Sequence, residues 1–153
     1  MIRKGRTSRT PRTKEMLLPL PAGVARKISL ENHLALATIR TGHGTPDAMI
    51  ALLRVLYMTY FMLEKDVSDA DLESFRDVET ALDESIRAAD GGGDWRVRGE
   101  RLPAIERMLL QFDHLIARVQ RYRYADAWAR MENFARSPEE SPLPGSSLNG
   151  IWE

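Results

Sequence analysis

Residues 45–64, Thr-Pro-Asp-Ala-Met-Ile-Ala-Leu-Leu-Arg-Val-Leu-Tyr-Met-Thr-Tyr-Phe-Met-Leu-Glu, decide the fold of this chain. The first three residues make a helix start. Thr45 can accept from the free amides of the first turn, Pro46 suits the first helical position, and Asp47 complements the positive end of the helix dipole. Beyond them, apolar residues cover nearly every side, from Met49 and Ile50 through Leu52, Leu53, Val55 and Leu56 to Phe61, Met62 and Leu63. A helix of that profile belongs inside, wrapped by others. The apolar run 48–63 falls short of the ~20 residues that a membrane span needs and carries Arg54, so it predicts a core helix. Arg54 must reach water or find an acid, because burying an unpaired guanidinium costs several kcal/mol. A structural ion pair is the expectation.

Working outward, the spacing predicts a helix over about 22–40, with Val24, Ile28, Ala35 and Ile39 on one stripe and Leu30, Leu34 and Ala37 beside it. Gly42 and Gly44 end it. Ser68 or Asp69 opens a third helix with Leu72, Phe75, Val78, Leu82, Ile86 and Ala89 at helical spacing and its acids facing outward, and Gly91-Gly92-Gly93 stops it. A fourth is predicted over about 100–119, with Pro103 tolerated in its first turn, and a fifth over 124–135 with Tyr124, Trp128, Met131 and Ala135 together. Residues 16–21 contain two prolines, which favour an extended path with the leucines tucked in and exclude a helix there. No alternating strand pattern and no internal repeat is present. The expected architecture is therefore all-α, one domain, a bundle of four to five helices around a central apolar helix at about 45–64. Residues 16–136 form the bundle, 1–15 a disordered basic arm, and the Pro-, Ser- and Gly-containing 137–153 a flexible C-terminal tail.

The 153 residues, 43% hydrophobic and 29% charged, suit one globular domain that needs no crosslink or metal to stand alone. Cysteine is absent, which removes disulfides, thiolate metal sites and a cysteine nucleophile together. No early apolar run suggests a secretory signal, so a cytoplasmic protein with no membrane association is expected. The net charge of zero conceals an asymmetry. Residues 1–28 hold eight Lys or Arg against Glu15 alone, a net of +7, whereas 64–94 hold eleven acids against three bases and 96–136 nine arginines against five acids.

Catalytic signatures are missing. His33, His43 and His114 are too dispersed for a local metal motif, and His33 beside Glu31 and Asn32 reads as part of a solvent face. The glycine triplet lacks the following Gly-Lys-Ser/Thr of a phosphate loop. Serines and threonines gather towards the ends of the chain with no acid–base partner at a recognisable spacing. Glu73 with Asp77 and Glu79 with Asp83 stand one turn apart, but without the Glu-x-x-His spacing of di-metal bundles they read as a hydrated acidic face. No enzyme and no cofactor is expected.

Two basic regions remain. Arg3, Lys4, Arg6, Arg9, Arg12 and Lys14 alternate with small hydroxyl residues, a composition suited to phosphate contact but equally to a solubilising tail. Arg118, Arg121, Tyr122, Arg123 and Arg130 interleave with aromatics, which suits single-stranded nucleic acid, whereas Tyr124 and Trp128 read better as packing residues. Arg121, Tyr122 and Arg123 read as the more available members of that region.

The phrase Lys27-Ile28-Ser29-Leu30-Glu31-Asn32-His33-Leu34-Ala35-Leu36-Ala37, the 45–64 block and Tyr122-Arg123-Tyr124-Ala125-Asp126-Ala127-Trp128 resemble a group of short bacterial proteins, some labelled Fis-type transcriptional regulators. That resemblance implies a DNA-binding regulator. A helix-turn-helix needs an exposed basic second helix. The helix after Gly44 is apolar and the one after Ser68 acidic, so only the pair meeting near Gln120–Arg123 offers a basic helix after a short turn. The reading is thus a non-catalytic accessory or regulatory protein with DNA or RNA as partner, compatible with a homodimer. The rival is a protein-interaction adaptor or inhibitor, of the kind mobile elements encode.

Overall fold

In the computed structural model, which describes residues 13–63 and 66–150, the chain is all-α. The elements are α1 (Lys14–Leu17), α2 (Ala22–Arg40), α3 (Pro46–Leu63), α4 (Asp69–Asp90), α5 (Leu102–Ile116) and α6 (Arg121–Ala135), with 3₁₀ turns at Gly99–Arg101 and Ser147–Gly150. The only β-type pairing among the described residues is an isolated antiparallel bridge between Pro19 and Gln120.

The ends of the central helices form as their residues dictate. Thr45 Oγ1 accepts from Ala48 N at 3.1 Å at the start of α3. Ser68 and Asp71 form a reciprocal capping box on α4, which satisfies two otherwise orphaned donors. At the other end of α4, Gly92 adopts φ +96°, a left-handed conformation that a side chain would oppose. Gly44, in the turn between α2 and α3, meets the backbone of Trp95 so closely that a Cβ there would lie 2.0 Å from its carbonyl oxygen. The α2–α3 turn and the loop after the glycine triplet are thereby locked together.

α3 is the hub, packed against α2, α4, α5 and α6. It is long and apolar enough to pass for a membrane span by composition, but Met49, Leu52 and Leu56 are fully buried by its neighbours. They offer Ile39 from α2, Phe75, Val78 and Leu82 from α4, Ile105, Leu109 and Phe112 from α5, and Ala127 from α6.

Several expectations need correction. α2 buries Ala25, Leu36 and Ile39, while Val24, Leu30 and Leu34 stay about half exposed. The helix carries apolar residues on more than one side, and the packing partners chose among them. Residues 16–21 are not helix-free, since Met16 and Leu17 close the single turn of α1, which ends before Pro19. Leu17 and Leu18 are exposed, and only Leu20 packs against the core. The segment is fixed mainly through its backbone, with Arg121 N donating to Leu18 O at 2.8 Å. α6 begins at Arg121, three residues earlier than its apolar spacing indicates.

The largest difference lies at 137–149, which composition marks as a loose tail. It is packed: Leu143 is only 1% exposed and belongs to the core cluster, and Ser141 and Ser146 are buried with it. Asn149 holds the segment in shape, its Oδ1 accepting from the amides of Glu140 and Ser141 and its Nδ2 donating to Ser141 O. Side-chain bonds of this kind replace a regular helix where proline forbids one.

Candidate nucleic-acid interface

Lys14, the described end of the first basic region, sits on α1 at the same end of the bundle as the α5–α6 turn. α1 packs beside α6. The Pro19–Gln120 bridge and the Leu18–Arg121 backbone bond tie the root of the basic arm to the α5–α6 turn. Lys14 is exposed at that root, Arg118 is exposed in the turn, and Arg121 is half-buried in the first turn of α6. Arg3, Lys4, Arg6, Arg9 and Arg12 lie outside the described residues.

The remaining predicted contact residues are used differently. Arg123 is not simply available, because its guanidinium donates to Met62 O at 3.1 Å and so satisfies a carbonyl of the last turn of α3. Arg130 lies over the Phe61 ring, 4.9 Å from its centroid. Tyr122 is half-buried. Tyr124 and Trp128 meet edge to face at 6.4 Å and pack against the core. The predicted ion pair of Arg54 is absent among the described residues. Its side chain reaches the surface and stacks over Trp128 at 5.6 Å, a cation–π contact that keeps the charge wet.

Elsewhere some of the arginines have acidic partners. Arg87 pairs with Asp83 at 2.9 Å, Arg98 with Glu100 at 2.6 Å, Arg101 with Glu84 at 3.3 Å, and Arg40 with Glu106. Among the described residues, Arg107, Arg118 and Arg121 form no ion pair, and Arg118 instead donates through Nε to the carbonyl of His114. Cations without an acidic partner among the described residues are spread over the surface, Arg26 and Lys27 on α2 among them, and Arg118 with Arg121 place two at the α5–α6 turn. Arg107 is exposed further back on α5, away from that turn.

The histidines stay apart. His33 is not merely part of a solvent face, since its Nε2 lies 2.7 Å from Asp113 Oδ2 and ties α2 to α5. His114 is exposed on α5, and His43 touches Thr41 Oγ1. Glu79 is the exception to the expectation that the acids of α4 face outward. It is 2% exposed, and its carboxylate accepts from Tyr57 OH at 2.8 Å, Ser141 Oγ at 2.5 Å and Ser146 Oγ. Burial, followed by the neighbouring Glu79 carboxylate, pushes the Tyr57 hydroxyl well above its usual range, so it remains a donor. The clue was present in sequence, because position 79 falls on the Leu72–Phe75–Leu82 stripe. Enclosed in this way, the cluster fastens α3, α4 and the 141–146 segment to one another.

No family model, no curated protein and no solved structure matches the chain. Its class is accordingly the one its own fold defines, an all-helical bundle built around a central helix.

Proposed function

We propose that this protein is a non-catalytic accessory or regulatory protein of the bacterial cytoplasm that binds DNA or RNA through its basic arm and the Arg118–Arg121 turn. One observation carries the reading. Arg121 N donates to Leu18 O beside the Pro19–Gln120 bridge, so the segment that carries Lys14 is fastened to the turn where Arg118 and Arg121 lack acidic partners. Lys and Arg residues without acidic partners suit phosphate contact, in which they release counterions from the nucleic acid. Arg123 and Arg130 lie further along α6, the first capping α3 and the second over the Phe61 ring.

The test is the salt dependence of binding to labelled DNA and RNA. Affinity should fall steeply with salt, and removal of residues 1–15 should weaken it. Arg118→Ala with Arg121→Ala should reduce the logarithmic salt slope by about 1–2, at about 0.7–0.9 per phosphate contact. No binding at low salt, or binding indifferent to salt, overturns the reading.

A further inference from the structure

The outer side of α5 carries an apolar surface that shares Arg118 alone with the nucleic-acid reading. Leu110 is 55% exposed midway along the helix. It lines a groove of about 450 Å³ whose apolar floor it forms with the half-buried Leu63 and Leu115, and whose rim carries Arg107, His114 and Arg118. Gln111 closes one side by donating to Asp71 Oδ1 of α4 at 3.4 Å. Leu110 also lines the neighbouring cleft between α2 and α5, below Ala37 and Arg40. It thus lines both depressions.

We propose that this groove docks an acidic amphipathic helix of a partner protein, with leucine-like side chains against Leu63, Leu110 and Leu115 and carboxylates against Arg107 and Arg118. Charge complementarity selects this occupant. Every charged or titratable residue among the described lining is Arg or His, and arginine is permanently charged and suited to carboxylates. Arg107 and Arg118 are eleven residues apart, roughly 16 Å at 1.5 Å per residue, which matches about three turns of a docked helix. Apolar anchors laid into a groove at helical spacing are an established mode of peptide recognition.

Two other occupants fit less well. Unpaired bases are usually held on aromatic rings, and this floor is aliphatic. The acidic helix of a second copy supplies exposed Asp69, Glu73 and Asp77, but its large apolar residues Phe75, Val78 and Leu82 are buried in its own core. A separate protein that combines acids with exposed leucines satisfies both halves of the groove.

The experiment uses the full chain and a labelled synthetic peptide of about 18 residues. It carries leucines at i, i+4, i+7 and i+11 among Glu and Ala, and binding is read by fluorescence anisotropy. Saturable binding is expected, weakened at least tenfold by Leu110→Gln, by Arg107→Glu, or by scrambling the leucine spacing at constant charge. Leu110 and Arg107 are exposed, so unchanged helicity and urea midpoints are expected and confirm folding. Equal binding of the scrambled peptide, or indifference to Leu110→Gln, shows mere charge attraction and overturns the proposal. It is also overturned if the peptide fails to bind while Leu110→Gln weakens an oligonucleotide, or if that variant splits a dimer found by mass measurement. Neither Leu110 nor Arg107 belongs to the arm and turn surface, so failure here leaves the nucleic-acid reading standing on its own test.

Discussion

Tyr57 OH donates to Glu79 Oε2 at 2.8 Å, joining the centre of α3 to the buried side of α4. Ser141 and Ser146 complete the coordination of the same carboxylate from a segment more than sixty residues away. A carboxylate withdrawn from water is costly unless it is hydrogen-bonded, so these hydroxyls are what make Glu79 tolerable at that position.

Tyr57→Phe should therefore destabilise the fold by about 1–2 kcal/mol, and Ser141→Ala by about 1–3 kcal/mol, because each leaves a buried acceptor short of a donor. Since the donors share one acceptor, the double variant should depart from additivity. Urea unfolding of the two singles and the double checks this. Costs under about 0.5 kcal/mol for both singles would mean that water replaces the donors.

Leu143→Ala should cost about 2–3 kcal/mol, as expected for a buried leucine in a packed core. A freely moving tail would show almost no effect. The urea midpoint separates these outcomes, and proteolysis should cut after residue 136 faster in the variant than in the parent.

The alkaline limb of stability should depend on Tyr57. Its folded-state pKa is raised, so the stabilisation is fully present below the unfolded tyrosine value of about 10 and is lost as pH rises towards the folded value. The slope attributable to this residue is up to about 1.4 kcal/mol per pH unit above that point. Tyr57→Phe should flatten the curve, and tyrosinate absorbance should show one of the four tyrosines titrating only as the protein unfolds.

Arg54→Met should change stability by less than about 1 kcal/mol, because the guanidinium is exposed over Trp128 and leaves no buried acid unpaired when removed. A loss of 3–5 kcal/mol would be the mark of a broken buried ion pair. Thermal unfolding distinguishes them.

The sequence by itself determined the helical class, the central place of 45–64 and most helix ends, because these depend on local spacing and on caps such as Thr45 and Ser68 that act within one turn. It also disclosed the two basic regions, though not that the segment after Lys14 is fastened beside the α5–α6 turn. That juxtaposition depends on the backbone bond between Arg121 and Leu18, which links residues far apart in the chain and leaves no mark in either segment.

Tertiary structure alone decided which side of α2 is covered, that Arg123 caps α3, and that Leu143 enters the core. It also decided that Glu79 turns inward, since a carboxylate on an apolar stripe can be buried only if distant hydroxyls arrive to meet it. Local periodicity records which faces are apolar, while the choice between competing faces and the pairing of polar groups arise from long-range packing, where each group's partner lies on another element.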